Sequence, residues 1–126
     1  MEGFERVATG DHCEVWLSPR AVKVMRKAAA QHRGRCARIM QRFAESGPDD
    51  LTDEMFKLEE RFGVGPGSVR IAVFAFKAFN LRVYGAYSRA ERKLFVCTHA
   101  AVKKRDGADR DLLELVAREV WEICYA

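Results

Sequence analysis

Three β-rich runs follow one another between residues 69 and 99 with only short connections, and this spacing limits the fold more than any other feature of the chain. Val69-Arg70-Ile71-Ala72-Val73-Phe74-Ala75-Phe76 is dense in β-branched and aromatic residues. Ala78-Phe79-Asn80 can turn the chain. Leu81-Arg82-Val83-Tyr84-Gly85-Ala86-Tyr87 then alternates, with Leu81 and Val83 on one side and Arg82 and Tyr84 on the other. Ser88 to Lys93 reads as a polar turn, and Leu94-Phe95-Val96-Cys97-Thr98-His99 as a third strand. Strands joined by so few residues pair antiparallel, because a parallel pairing needs a crossover of a dozen or more. Gly85 marks a bulge or a close backbone approach within the second run.

Helical patterns flank this block. Cys13-Glu14-Val15-Trp16-Leu17 reads as a short strand, and Ser18-Pro19 as a helix start with Ser18 at the N-cap. Ala21, Val22, Met25, Ala28 and Ala29 keep helical spacing to about Gln31. Gly34 is a candidate interruption. A second helical face carries Cys36, Ile39, Met40 and Phe43 and ends at Ser46-Gly47-Pro48. Residues 48–68 are acidic and turn-like at first. Met55 to Glu59 is a candidate short strand, and Gly63-Val64-Gly65-Pro66-Gly67 reads as a loop without the Lys-Ser/Thr of a phosphate loop. Asp109 can cap a last helix whose apolar positions are Leu112, Leu113, Val116, Val120 and Ile123. The sum is one α+β domain over residues 1–126: an antiparallel sheet of about four strands, an N-terminal helical hairpin and a C-terminal helix.

Charge narrows the partners. The net charge of +4 conceals strong segregation. Residues 61–105 hold ten Lys or Arg against the single acid Glu91, while residues 47–60 hold six acids against Lys57. A basic block of this kind suits an anionic partner, nucleic acid or an acidic protein. Cys13, Cys36, Cys97 and Cys124 lie far apart, with no CxxC and no His at ligand spacing, so neither a metal site nor a cofactor is expected. They read as reduced core residues of a cytoplasmic protein. No apolar run approaches the ~20 residues of a membrane span, and the acidic N-terminus lacks the pattern of a secretion signal.

Several stretches resemble the RelE/HigB group of toxins from type II toxin–antitoxin systems, in the phage-derived branch of the RelE/ParE superfamily. They are Ser18-Pro19, Val69-Arg70-Ile71 through Phe76-Lys77, Leu81-Arg82-Val83-Tyr84-Gly85, and Phe95-Val96-Cys97-Thr98-His99-Ala100-Ala101-Val102-Lys103-Lys104. The resemblance implies a RelE-like fold and a ribosome-dependent mRNA endonuclease, in which the ribose 2′-OH attacks the adjacent phosphate. Its partners would be mRNA on the ribosome and a cognate antitoxin protein. By the same resemblance Arg70, Lys77, Arg82, His99 and Lys104 are the catalytic candidates. Lys103 and Arg105 extend the basic group that follows the last strand.

Other residues are judged on their chemistry. Tyr84 is a candidate for stacking on a base, as is Tyr87, since tyrosine tolerates a half-exposed position. Phe74, Phe76, Phe79 and Phe95 read as core. Arg35 and Arg38, on an arginine-rich helix, are candidates for nucleic-acid phosphates or for an acidic antitoxin segment. Arg70 and Arg82, inside β-runs, each need solvent, a phosphate, or a carboxylate from residues 49–60 or from the terminal helix. His99 on an apolar strand fits a satisfied structural residue as well as a catalyst. The second functional reading is a non-catalytic binding protein, such as a gyrase inhibitor or an orphan of a mobile element.

Overall fold

The computed structural model describes residues 1–88, 93–104 and 109–124. The elements run β1 (Glu5–Thr9), β2 (Glu14–Leu17), α1 (Pro19–Lys27), α2 (Ala30–Ser46), a short 3-10 turn at Pro48–Asp50, β3 (Phe56–Val64), β4 (Val69–Ala78), β5 (Leu81–Tyr87), β6 (Leu94–Val102) and α3 (Arg110–Cys124). One six-stranded sheet has the order β1-β2-β6-β5-β4-β3.

This corrects the expected sheet of about four antiparallel strands behind an N-terminal helical hairpin, and the RelE-like arrangement expected with it. The sheet is mixed, because β2 lies parallel to β6, and two strands precede the helices. The remaining pairs are antiparallel. The long route through α1, α2 and three further strands supplies the crossover that a parallel pair needs. β1 escaped detection because only Ala8 of its five residues is buried, so it shows no alternation. β3 runs on to Val64, through part of the stretch expected to be a loop. A register shift between Leu58 and Glu60 interrupts its pattern.

The helices begin and end for local reasons. The Ser18 hydroxyl accepts from the Ala21 N–H at 3.1 Å and donates to the Thr98 carbonyl at 2.6 Å, which fixes the start of α1 to β6. α1 stops at Lys27, with extended backbone at Ala28 and Ala29, so the break between the helices precedes Gly34. Gly47 ends α2 at φ +81°, a conformation that glycine adopts readily. The Asp109 carboxylate accepts from the Asp111 N–H at 3.0 Å at the start of α3.

Strand alternation sorts the core into two layers. Phe74, Phe76 and Ala78 of β4 face α1 and α2, while Ile71, Val73 and Ala75 face α3. On the α1/α2 side, Phe43 is fully buried and packs against Phe56, Phe76, Tyr87 and Phe95 at centroid distances of 4.6 to 5.8 Å. On the other side Leu113, Val116, Ala117 and Val120 of α3 cover Phe62, Val64, Tyr84 and Ala86. Cys13, Cys36 and Cys97 are buried free thiols. Burial pushes the thiols of Cys13 and Cys36 up to about 12, with Glu14 adding to the effect at Cys13. Such thiols are poor nucleophiles and metal ligands at neutral pH. No helix among the described residues is long and apolar enough to cross a membrane.

One irregularity matters for the site. Tyr84 pairs with His99 and Gly85 with Cys97, so Thr98 is an extra residue in β6. A bulge of this kind shifts the side-chain parity beyond it. Phe95 and Cys97 face α1 and α2, but Ala101 joins the α3 side, and His99 is turned toward α3 with it. The strands come so close here that a Cβ on Gly85 would lie 2.4 Å from the Val96 carbonyl oxygen, which excludes any other residue without a backbone shift.

Candidate nucleic-acid interface

The end of the sheet at the β4–β5 turn gathers Lys77, Arg82, Lys103 and Lys104 from the basic block that the charge pattern singled out. Lys77 and Arg82 are cross-strand partners in the last part of the hairpin. Their parity places them on the α3 side, next to the Ala75, Tyr84 and Ala101 positions. Arg35 reaches the same place from α2. Together with Phe79 and Glu54 they line an open cleft of about 490 Å³. Lys103 is close by, since its N–H donates to the Asn80 carbonyl at 2.7 Å. Lys104 follows it and is exposed.

The bonds in the cleft hold it in shape while leaving its charge uncancelled. Lys77 Nζ donates to the Asp53 carbonyl at 3.2 Å. One Arg82 nitrogen donates to the carbonyls of Phe79 at 2.6 Å and Leu81 at 3.1 Å. Among the described residues no carboxylate forms an ion pair with Arg35, Lys77 or Arg82. Among the described residues, the ion pairs formed by residues 47–60 are Asp50 with Arg42 at 3.2 Å and Glu60 with Arg110 at 2.9 Å. Both anchor helices, and exposed pairs like these contribute little to stability. Asp50 and Glu60 are thus turned to α2 and α3, and Glu54 is the one carboxylate of this stretch among the described residues lining the cleft.

Phe79 corrects its assignment to the core. It is 52 % exposed, more than any other large hydrophobic residue among those described. Its φ is +56°, a left-handed conformation that costs a non-glycine residue about 1–2 kcal/mol. The His32 ring stacks on it at 4.4 Å with an interplanar angle of 22°, and the Arg35 guanidinium carbon lies 5.8 Å from its centroid. Its turn position between β4 and β5 was the available signal that it would point outward.

The other candidates lie elsewhere. Arg70 is exposed at the start of β4. It is seven positions from Lys77 along one strand, or ~23 Å at ~3.3 Å per residue. Tyr84 is 1 % exposed, so its ring cannot meet a base. Burial pushes its hydroxyl up to about 12, helped by Glu59 and Asp109 and opposed by Arg82. Arg38 is exposed on α2, and Arg105 lies outside the described residues.

His99 is enclosed in a polar junction of its own. Arg20 of α1 donates to its Nε2, and Thr98 Oγ1 lies 2.9 Å from its Nδ1. Glu119 of α3 lies 3.6 Å from Nδ1 and 3.3 Å from Arg20. A guanidinium can only donate, so Nε2 is the unprotonated nitrogen and Nδ1 carries the hydrogen. Burial lowers the histidine's pKa from its ordinary 6.5, with Arg20 acting in the same direction and Glu119 against it. The neutral ring therefore stabilises the fold fully above about pH 6.5, and that contribution is lost as pH falls through the lowered folded-state value. Between pH 7 and pH 5 the melting temperature of the wild type should fall more than that of His99→Gln, as read by circular dichroism. Parallel curves would refute this role.

Among the described residues no group of three or more His, Cys, Asp or Glu is arranged to hold a metal ion. Comparison of the chain with protein-family models, with curated proteins and with solved structures finds no match.

Proposed function

We propose that this protein binds single-stranded RNA at the β4–β5 cleft and cuts it, as a ribosome-dependent mRNA endonuclease and the toxin half of a toxin–antitoxin pair. The observation that carries this reading is the convergence of Arg35, Lys77 and Arg82 on one cleft with no carboxylate paired to them among the described residues. Phosphate neutralisation is the first requirement of any RNA-binding surface.

The cleavage step needs three services. A base takes the 2′-OH proton as the O2′–P bond forms. Cations offset the charge of the pentavalent phosphorane. An acid gives a proton to the 5′-oxygen as the P–O5′ bond breaks. Arg35 and Arg82 suit the second task because guanidinium stays charged and matches phosphate oxygens in geometry. Glu54 is assigned the base and Lys77 the proton donor. His99 takes no part, because Thr98, Arg20 and Glu119 hold its ring.

That enclosure of His99, with the distance of Arg70, favours a second reading: the cleft binds RNA without cutting it. Inducible expression separates the two. A nuclease should arrest growth and leave new 5′ ends in translated mRNA. Glu54→Gln should abolish the cuts while purified protein still binds RNA. Binding by the wild type with neither cuts nor arrest would leave only the second reading.

A further inference from the structure

We infer that Phe79, backed by His32, is a stacking platform for one unpaired base, so that the cleft accepts single strands and not duplexes. This rests on the reading of the cleft as an RNA site and adds what that site recognises.

The turn is the starting point. Ala78 pairs with Leu81, so Phe79 and Asn80 form a two-residue connection. A positive φ at the first of these positions calls for glycine. A phenylalanine there is strained by its backbone and half in water by its side chain, two unfavourable features at once. Contacts from two directions hold it: Arg82 bonds its carbonyl at 2.6 Å, and His32 stacks on its ring. Strain that the surroundings fix in this way is characteristic of ligand sites.

The chemistry around the ring specifies the ligand. His32 stacks on the ring and the Arg35 guanidinium carbon lies 5.8 Å from its centroid, and an incoming base would stack on the exposed part of the ring beside them. Every base has a π-face, so stacking of this kind needs an unpaired base but not a particular sequence. Lys77 and Arg82 stand beside the ring to meet the flanking phosphates. A cleft of about 490 Å³ is of the size that encloses a small ligand, not a double helix. An acidic peptide would satisfy the cations but would leave the ring unused.

The test measures binding of a fluorescein-labelled RNA nonamer by anisotropy, alongside a nonamer with a central abasic ribose and a duplex of the same length. Wild-type protein should bind the intact single strand about tenfold more tightly than either of the others. Phe79→Gly should lose about tenfold for the intact strand and nothing for the abasic one, while melting no lower than wild type because the turn is relaxed. Phe79→Trp should retain binding. Equal affinity for intact and abasic RNA in the wild type, with binding still dependent on Lys77 and Arg82, would overturn the platform and leave the RNA site standing. No RNA binding at all, or equal competition by polyglutamate, would overturn both. A lower melting temperature for Phe79→Gly with unchanged RNA affinity would make the residue purely structural and end the proposal.

Discussion

Replacing Lys77 and Arg82 together by alanine is expected to weaken RNA binding about a hundredfold at moderate salt. Each cation that meets a phosphate through a charge-assisted hydrogen bond contributes about 1.5 kcal/mol or more, and 1.4 kcal/mol is a factor of ten. The logarithmic salt dependence for a single strand should also flatten by about 1.4, since each phosphate contact contributes about 0.7. Arg70→Ala is the internal control, because Arg70 lies near the far end of β4. Equal losses from the Arg70 and the Lys77/Arg82 variants would show diffuse attraction to a basic protein and remove the cleft from the argument. Arg82 also bonds two turn carbonyls, so the double variant should be checked by its melting temperature.

The second large effect is expected at Phe43. Truncation to alanine should cost about 3–5 kcal/mol, the range for a fully buried aromatic. That is a large part of the 5–15 kcal/mol that holds a typical domain together. The ring meets Phe56, Phe76, Tyr87 and Phe95, residues from four strands or their ends, and also His12 at 5.2 Å. One deletion therefore loosens α2 from much of the sheet. The melting temperature should fall on the order of 10–20 °C. A fall of under 3 °C would mean that the surrounding rings close the gap, and the idea of a single anchoring residue would fail. The same helix carries His32 and Arg35 to the cleft, so Phe43→Ala should also weaken RNA binding near its own melting point.

Much of the chain's local structure was readable because its signals are local. β4 is dense in β-branched and aromatic residues, β5 alternates, Ser18-Pro19 opens a helix, Gly47 closes one, and Asp109 caps the last. What failed depended on distance or on irregularity. The parallel pairing of β2 with β6 joins segments that share no turn. Glu59, the extra residue at the β3 register shift, breaks the alternation that would have carried that strand to Val64. Thr98 does the same in β6, and by altering parity it sends His99 under α3, which no count of residues from a strand's start foretells. At the cleft, the basic residues were legible from charge and Arg35 from its helix. Phe79 and Glu54 were not, because composition places an aromatic in the core and an acid on a solvated turn. The position of Phe79 in a two-residue connection outweighs its hydrophobicity.

The pairing of β2 with β6 also sets the order in which the molecule can be completed. The Ser18 hydroxyl meets a carbonyl 80 positions later. At ~5–20 residues per second, synthesis leaves roughly 4–16 s between the two ends of that contact emerging from a ribosome. During that interval β1 and β2 are a two-stranded ribbon with no neighbour on the β6 side, and such a ribbon is at best marginally stable in water. The start of α1 lacks its anchor for the same time. Contacts that close over so much chain slow folding, since the entropy of loop closure precedes any gain from the pairing. The nascent protein therefore stays without a finished sheet until its last strand is made, and that final strand joins both halves at once.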